Sequence, residues 1–245
     1  MTTPADPEAA STAHRRSGSG IALVIGASGG IGGALVATLE ASGRYDRVVG
    51  LGRGSTPYLD LLDEPSIATA VQETAGLGEV RLAIHAAGLL HGPALAPEKS
   101  LSRIDPQALA MAFAVNATGP ALVMKHLLPL LPRRGRCVFA ALSARVGSIG
   151  DNRLGGWYAY RASKAALNQL VRTASIELAR RNPEALCVDL HPGTVATALS
   201  APFVGDDPKA QSPETAAGKL LAVLDTLPSD ANGGFFDAGG RTVPW

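Results

Sequence analysis

Short runs that are apolar at every position alternate along the chain with longer stretches whose apolar residues recur at helical spacing. Ile21-Ala-Leu-Val-Ile25 has no polar position. A half-solvated strand would alternate, so this run predicts a strand covered on both faces. The glycines of Gly26 to Gly33 interrupt it, and the helix predicted over 34–42 is closed by Gly43. The pattern then repeats. Further strands are predicted over 47–51, 80–86, 136–143, 186–191 and 234–236, and helices over 64–76, 106–131, 158–181 and 213–227. Strand–helix–strand repetition implies right-handed crossovers and an α/β fold, a doubly wound parallel sheet with helices on both faces.

Composition limits the picture further. The 245 residues, 46% of them hydrophobic, can fill one sizeable core. No repeat or shift in composition divides 21–245, so one domain is expected there. Residues 1–20 are rich in Ala, Ser, Thr and Pro without an apolar signal core, and are expected to form a disordered tail. A formal net charge of +1 gathers neither nucleic acid nor anionic lipid. No apolar run is expected to span a membrane. Cys137 and Cys187 lie in apolar stretches and read as buried thiols, while the five histidines are scattered, so no metal site is expected. Together these features suggest a cytoplasmic protein acting on a small molecule.

Chemistry first enters at the glycine turn. Gly26, Gly30 and Gly32 follow a strand and open a helix, where a tight turn brings backbone N–H groups to a pyrophosphate at the helix N-terminus. Their G-x-x-x-G-x-G spacing differs from G-x-G-x-x-G, and a merely flexible connection is the alternative. The second strand ends Leu51-Gly52-Arg53, without the acid that would accept from an NAD ribose. Arg53 there suits the 2′-phosphate of NADP(H), if it is not simply a solvated loop arginine.

Tyr160 and Lys164 stand i, i+4 on one helix face. A free tyrosine ionises near pH ~10, and a neighbouring ammonium would lower that. The alternative is a core tyrosine beside a snorkelling lysine. Ser143 follows a strand at its carboxyl end, where a hydroxyl can donate to a carbonyl oxygen as it turns anionic, or merely shape a turn.

From Ile21 to Trp245 these motifs, in this order, resemble the short-chain dehydrogenase/reductase family. The longer 150–156 loop, the Trp157-to-Lys164 run and the ending Pro244-Trp245 are similar to its C-factor-like carbonyl reductase branch. Gly26-Ala-Ser28-Gly-Gly30-Ile31-Gly32 resembles the family's T-G-x-x-x-G-x-G, with Ile25 in place of the threonine. Asp60 and Leu61 match the segment that contacts adenine, and His85-Ala86-Ala87-Gly88 resembles N-N-A-G with both asparagines replaced. Backbone contacts from Ala86, Ala87 and Gly88 would survive that replacement. Asn116 matches the helix asparagine that holds a water in the proton relay, completing with Ser143, Tyr160 and Lys164 the family's catalytic tetrad. Pro192, Gly193, Val195 and Thr197 match the nicotinamide-contacting P-G-x-V-x-T.

The resemblance implies a single-domain Rossmann fold with a seven-stranded parallel sheet, and hydride transfer between NADP(H) and a small, uncharged carbonyl or alcohol. It also implies a homodimer or homotetramer packed through the long helices. Tyr160 follows Ser143 by 17 positions, longer than the family's usual separation, and Ser148 is the competing serine. Two other readings stay open: an NAD-dependent alcohol dehydrogenase, and a dinucleotide-binding signalling or regulatory protein without turnover.

Overall fold

The computed structural model describes residues 19–92, 95–205 and 208–245. Nearly all of the expected tail lies outside the described residues. Strand β1 (Ile21–Ile25) is buried at every position and lies between β2 (Arg47–Leu51) and β3 (Val80–His85). Beyond β3 follow β4 (Val138–Leu142), β5 (Leu186–His191) and β6 (Phe235–Asp237), giving the order β2-β1-β3-β4-β5-β6. Every pairing is parallel. The chain reverses direction of winding between β1 and β3, and the crevice of such a sheet opens there, outside the carboxyl ends of the strands.

Helices cover both faces. α1 (Gly30–Ser42) and α7 (Pro213–Thr226) pack Leu35, Leu39, Leu220 and Leu224 against Val24, Ile84 and Val188. On the other face α2 (Glu64–Gly76), α4 (Gly119–Leu127) and α5 (Tyr158–Arg181) cover Leu23, Phe139 and Cys187 with Ile67, Val123 and Leu167. Both cysteines are buried and free.

The sheet has six strands among the described residues, which corrects the seven that the resemblance implies. The missing one is reduced to a single parallel bridge between Gly52 and Tyr58. Its segment cannot sustain a ladder. Pro57 has no N–H to donate, and the Ser55 hydroxyl accepts from the Gly52 N–H and donates to the Gly52 carbonyl, which also takes the one bridging bond from Leu59 N–H.

The helix predicted over 106–131 is also interrupted. α3 (Pro106–Phe113) runs into a π turn (Ala114–Thr118) and then into α4. The continuous stretch Pro106–Leu130 contains an 18-residue window of mean hydropathy 1.3, long and apolar enough to cross a membrane by composition. It therefore exceeds the sequence expectation, yet Ala112, Ala117, Val123, Met124 and Leu127 are buried within the protein, as in a core helix. A short helix, α6 (Ala201–Val204), adds an element that the apolar pattern does not predict.

Candidate active site

At the crevice, α1 begins at Gly30, four residues earlier than its apolar periodicity suggests, and Gly29 provides no side-chain cap. Its first N–H groups therefore face a cleft of about 480 Å³ lined by Gly26, Ser28, Gly30, Ile31, Arg53, Asp60, and others. Glycine is required here by contact. A Cβ on Gly32 would lie 2.1 Å from the Gly26 carbonyl oxygen, and one on Gly30 would lie 2.9 Å from Thr197 Cγ2. Gly26 has φ +86°, which only glycine adopts without strain. These residues fit an anionic group held at a helix N-terminus.

Several of the remaining expected contacts border the same cleft. Leu61, Ala86, Ala87, Gly88 and Thr197 line it, with Ala86 N–H bonded to the Ile25 carbonyl. Arg53 is exposed at its rim. The Asp60 carboxylate is occupied locally, accepting from Leu62 N–H and the Tyr58 hydroxyl. Pro192, Gly193 and Val195 line a second cleft. Gln211 holds that segment by donating from Nε2 to the Pro192 carbonyl at 2.6 Å.

Asn116 is fully buried, and its side chain grips a loop. Oδ1 accepts from Leu89 N–H at 2.7 Å, Nδ2 donates to the Leu89 carbonyl at 2.7 Å, and Nδ2 also reaches Ser163 Oγ at 3.1 Å. The side chain of Asn116 thus clasps the chain beside Gly88.

Tyr160 and Lys164 do share one face of α5, but the ammonium is not at the phenol oxygen. Lys164 Nζ donates to the Leu142 carbonyl at 2.8 Å and lies 5.9 Å from the Tyr160 ring centroid. Burial therefore pushes the Tyr160 phenol up to about 12, opposite to the lowering expected from the Tyr–Lys pairing, and pulls Lys164 down to about 8. Ser143 lines the same cleft as Tyr160 and donates to Asn168 Oδ1 at 2.5 Å. Ser148 is buried away from it, with its hydroxyl accepting from Asp151 N–H. The structure thus brings Ser143, not Ser148, to the tyrosine. The close approach of this loop to α5 depends on Gly147, where a Cβ would lie 2.8 Å from Lys164 Cβ.

The second cleft, about 470 Å³, is walled by Leu90, Val146, Leu154, Trp157 and Phe203 beside Ser143 and Tyr160. Leu89, the neighbour of Leu90, borders the first cleft. Trp157 meets Tyr160 and Phe203 edge-on at 6.2 and 5.1 Å between centroids. Arg145, Asp151, Arg153 and Arg161 also line it, charges that sequence reasoning missed. Their groups are engaged. Arg161 donates to the carbonyls of Val146, Gly155 and Gly156, Arg153 to those of Gly150 and Asn152, and Arg145 pairs with Asp151 and Asp237 at 3.6 Å.

Two further supports were not anticipated. Glu98, 5% exposed, accepts through both carboxylate oxygens from Ala159 N–H in the first turn of α5, next to Tyr160. Asn168 holds Ser143. Asparagine one helical turn beyond Lys164 was a readable signal for a third polar residue on that face.

Comparisons with known proteins agree with this geometry. A family model described as enoyl-(acyl carrier protein) reductase matches residues 16–220. The C-signal of Myxococcus xanthus is 40% identical over 147 residues, 60% of this chain and 84% of its own. Short-chain dehydrogenase srdF of Neurospora crassa is 33% identical over 192 residues, 74% of this chain and 72% of its own. The NADPH-bound carbonyl reductase from chicken fatty liver superimposes with a TM-score of 0.80 at 25% identity, covering 92% of this chain and 98% of the other. With the glycine turn, the tyrosine–lysine helix and the doubly wound sheet in one frame, the chain belongs to the short-chain dehydrogenase/reductase family of oxidoreductases.

Proposed function

We propose that the protein is an NADP(H)-dependent carbonyl reductase acting on a small, uncharged aldehyde or ketone. The observation that carries this reading is the continuity of the two clefts. Ile31, Thr197 and Leu199 border both, so a dinucleotide lying from the α1 N-terminus past Thr197 ends beside Ser143 and Tyr160. The cofactor, when bound, supplies the hydride. The chain's own residues do the rest. N–H groups of Gly30, Ile31 and Gly32 hold the pyrophosphate, and Arg53 holds the 2′-phosphate. The Ser143 hydroxyl swings from Asn168 to the substrate carbonyl, where it fixes orientation beside Tyr160.

Tyr160 then gives its proton to the carbonyl oxygen. A phenol pushed up to about 12 is fully protonated at neutral pH, as an acid must be. The forming alkoxide is more basic still, so the proton moves downhill in the reductive direction. The apolar wall and the internally engaged arginines support an uncharged substrate. The chicken carbonyl reductase with its NADPH supports the same cofactor and reaction class.

A cytoplasmic homodimer or homotetramer completes the reading, joined through the groove of Leu128, Pro129, Leu170 and Ala174 between α4 and α5. The likeness to the C-signal favours a second reading, dinucleotide binding without turnover. The two separate in one assay. NADPH oxidation coupled to alcohol formation across a panel of aldehydes and ketones is expected. Tight NADPH binding with no turnover on any of them would favour the second reading.

A further inference from the structure

The sheet carries an unusual polar row beneath α5. Register places His85 of β3, Ala141 of β4 and Asp189 of β5 side by side, so their side chains point to the same face. His85 and Asp189 are both 0% exposed. Neither imidazole nitrogen of His85 and neither carboxylate oxygen of Asp189 has a hydrogen-bond partner among the described residues. Four orphaned polar atoms in one row are a large departure, because buried polar atoms are nearly always satisfied by protein or by internal water. Adjacent strands lie about 4.8 Å apart, which leaves roughly 10 Å between the backbones of His85 and Asp189. Between them in the row stands Ala141, whose side chain is a single methyl.

Lys164 roofs the row. Its Nζ is bonded to the carbonyl of Leu142, the neighbour of Ala141, and an ammonium has two further N–H groups to give. Lys164 and Asp189 act on each other electrostatically across this space, and Lys164 acts likewise on His85. We propose that Asp189 is the buried counter-charge of Lys164, joined to it and to His85 by an internal water above Ala141, and that it serves as a positioning residue by keeping the lysine an ammonium.

The sign of the effect follows from the surroundings. Burial drives Lys164 towards the neutral amine and Asp189 opposes that drift, which leaves the lysine at about 8. Around Asp189 the other titratable groups are His85 on β3, Cys187 and His191 on β5, and Tyr160 with Lys164 on α5. Asp237 on β6 lies farther along, engaged by Arg241 and Arg145. Burial pushes His85 down to about 3 and His191 down to about 4, and it pushes the Cys187 thiol up, so these stay neutral near pH 7. Burial also pushes the Asp189 carboxyl well above the usual carboxylate range, and Lys164, the cation facing it from those elements, opposes that rise and favours the carboxylate.

This inference rests on the carbonyl reductase reading only for its catalytic consequence, and its test does not. The whole chain has five lysines, so 13C-lysine NMR resolves Lys164, assigned by the signal lost in Lys164→Met. In the wild type, without cofactor, Lys164 is expected to titrate near 8. In Asp189→Asn its midpoint is expected to fall by about one pH unit or more. Asp189→Ala removes the orphaned oxygens altogether, so it keeps the test open should the asparagine variant fold poorly. The alkaline limb of NADPH-dependent turnover should move by the same amount. An unmoved Lys164 midpoint in the folded variants would overturn the proposal. A shifted midpoint in a protein that turns over no carbonyl would leave it standing and refute the carbonyl reductase reading instead.

Discussion

Replacing Asn116 by alanine removes a clasp, and the structure sets the size of the effect. Two 2.7 Å bonds to the Leu89 N–H and carbonyl are lost, together with the 3.1 Å bond to Ser163. Each stranded partner in a buried setting costs ~1–3 kcal/mol, so the two backbone groups of Leu89 together cost ~2–6 kcal/mol. For a chain of this size that lowers Tm by roughly 4–24 °C. Leu89 also borders the cofactor cleft, so a loosened loop should weaken NADPH binding by about tenfold or more. Calorimetry gives Tm, and quenching of protein fluorescence by NADPH gives Kd. Asn116→Asp sharpens the test. It keeps an acceptor for Leu89 N–H but turns a second oxygen on the Leu89 carbonyl, so it should be no more stable than the alanine variant. A Tm within about one degree of wild type and an unchanged Kd in both variants would refute the clasp.

Arg53→Ala should weaken NADPH binding by about 10–100-fold, the loss of one charge-assisted phosphate contact, and leave NADH binding nearly unchanged; competitive titration of the two cofactors reads this. The two serines separate by their readouts. Ser143→Ala should lower kcat by about 10²-fold or more, with ~1–3 kcal/mol lost in stability for the Asn168 Oδ1 it strands. Ser148→Ala, which strips the hydroxyl from a turn, should lower Tm slightly and spare kcat. Glu98→Ala leaves the Ala159 N–H and the α5 N-terminus without their acceptor, costing ~1–2 kcal/mol in denaturant unfolding and lowering kcat through the displaced Tyr160.

What the residues alone disclosed was what depends on local pattern. The uniform apolarity of Ile21–Ile25 and the periodicity of Tyr158–Arg181 define those elements because both are covered by the core along their length. The tyrosine, the lysine and the glycine turn were readable because spacing within a single element sets their geometry. The seventh strand was expected from resemblance alone, and Gly52, Gly54 and Pro57 already argued against it. The π turn was hidden because Asn116 is drawn to Leu89, 27 positions away. Glu98 was hidden for the same reason, its partner lying 61 positions off, whereas spacing shows Asn168 on the Lys164 face and conceals only its partner, 25 positions off. Asp189 was visible as an acid inside the apolar run Leu-Cys-Val-Asp-Leu, a departure that only the sheet register connects to His85 and Lys164.

The central claim is that Tyr160 passes a proton to a carbonyl beside a bound nicotinamide. Its most direct measurement compares wild type with Tyr160→Phe for NADPH consumption matched to alcohol formed, on the best carbonyl substrate of the panel. Phenylalanine keeps the ring against Trp157 and removes only the hydroxyl, so folding and NADPH affinity should be preserved. The account predicts a fall in kcat of about 10²–10⁴-fold, the usual worth of a general acid. Turnover in Tyr160→Phe within a few-fold of wild type would contradict it.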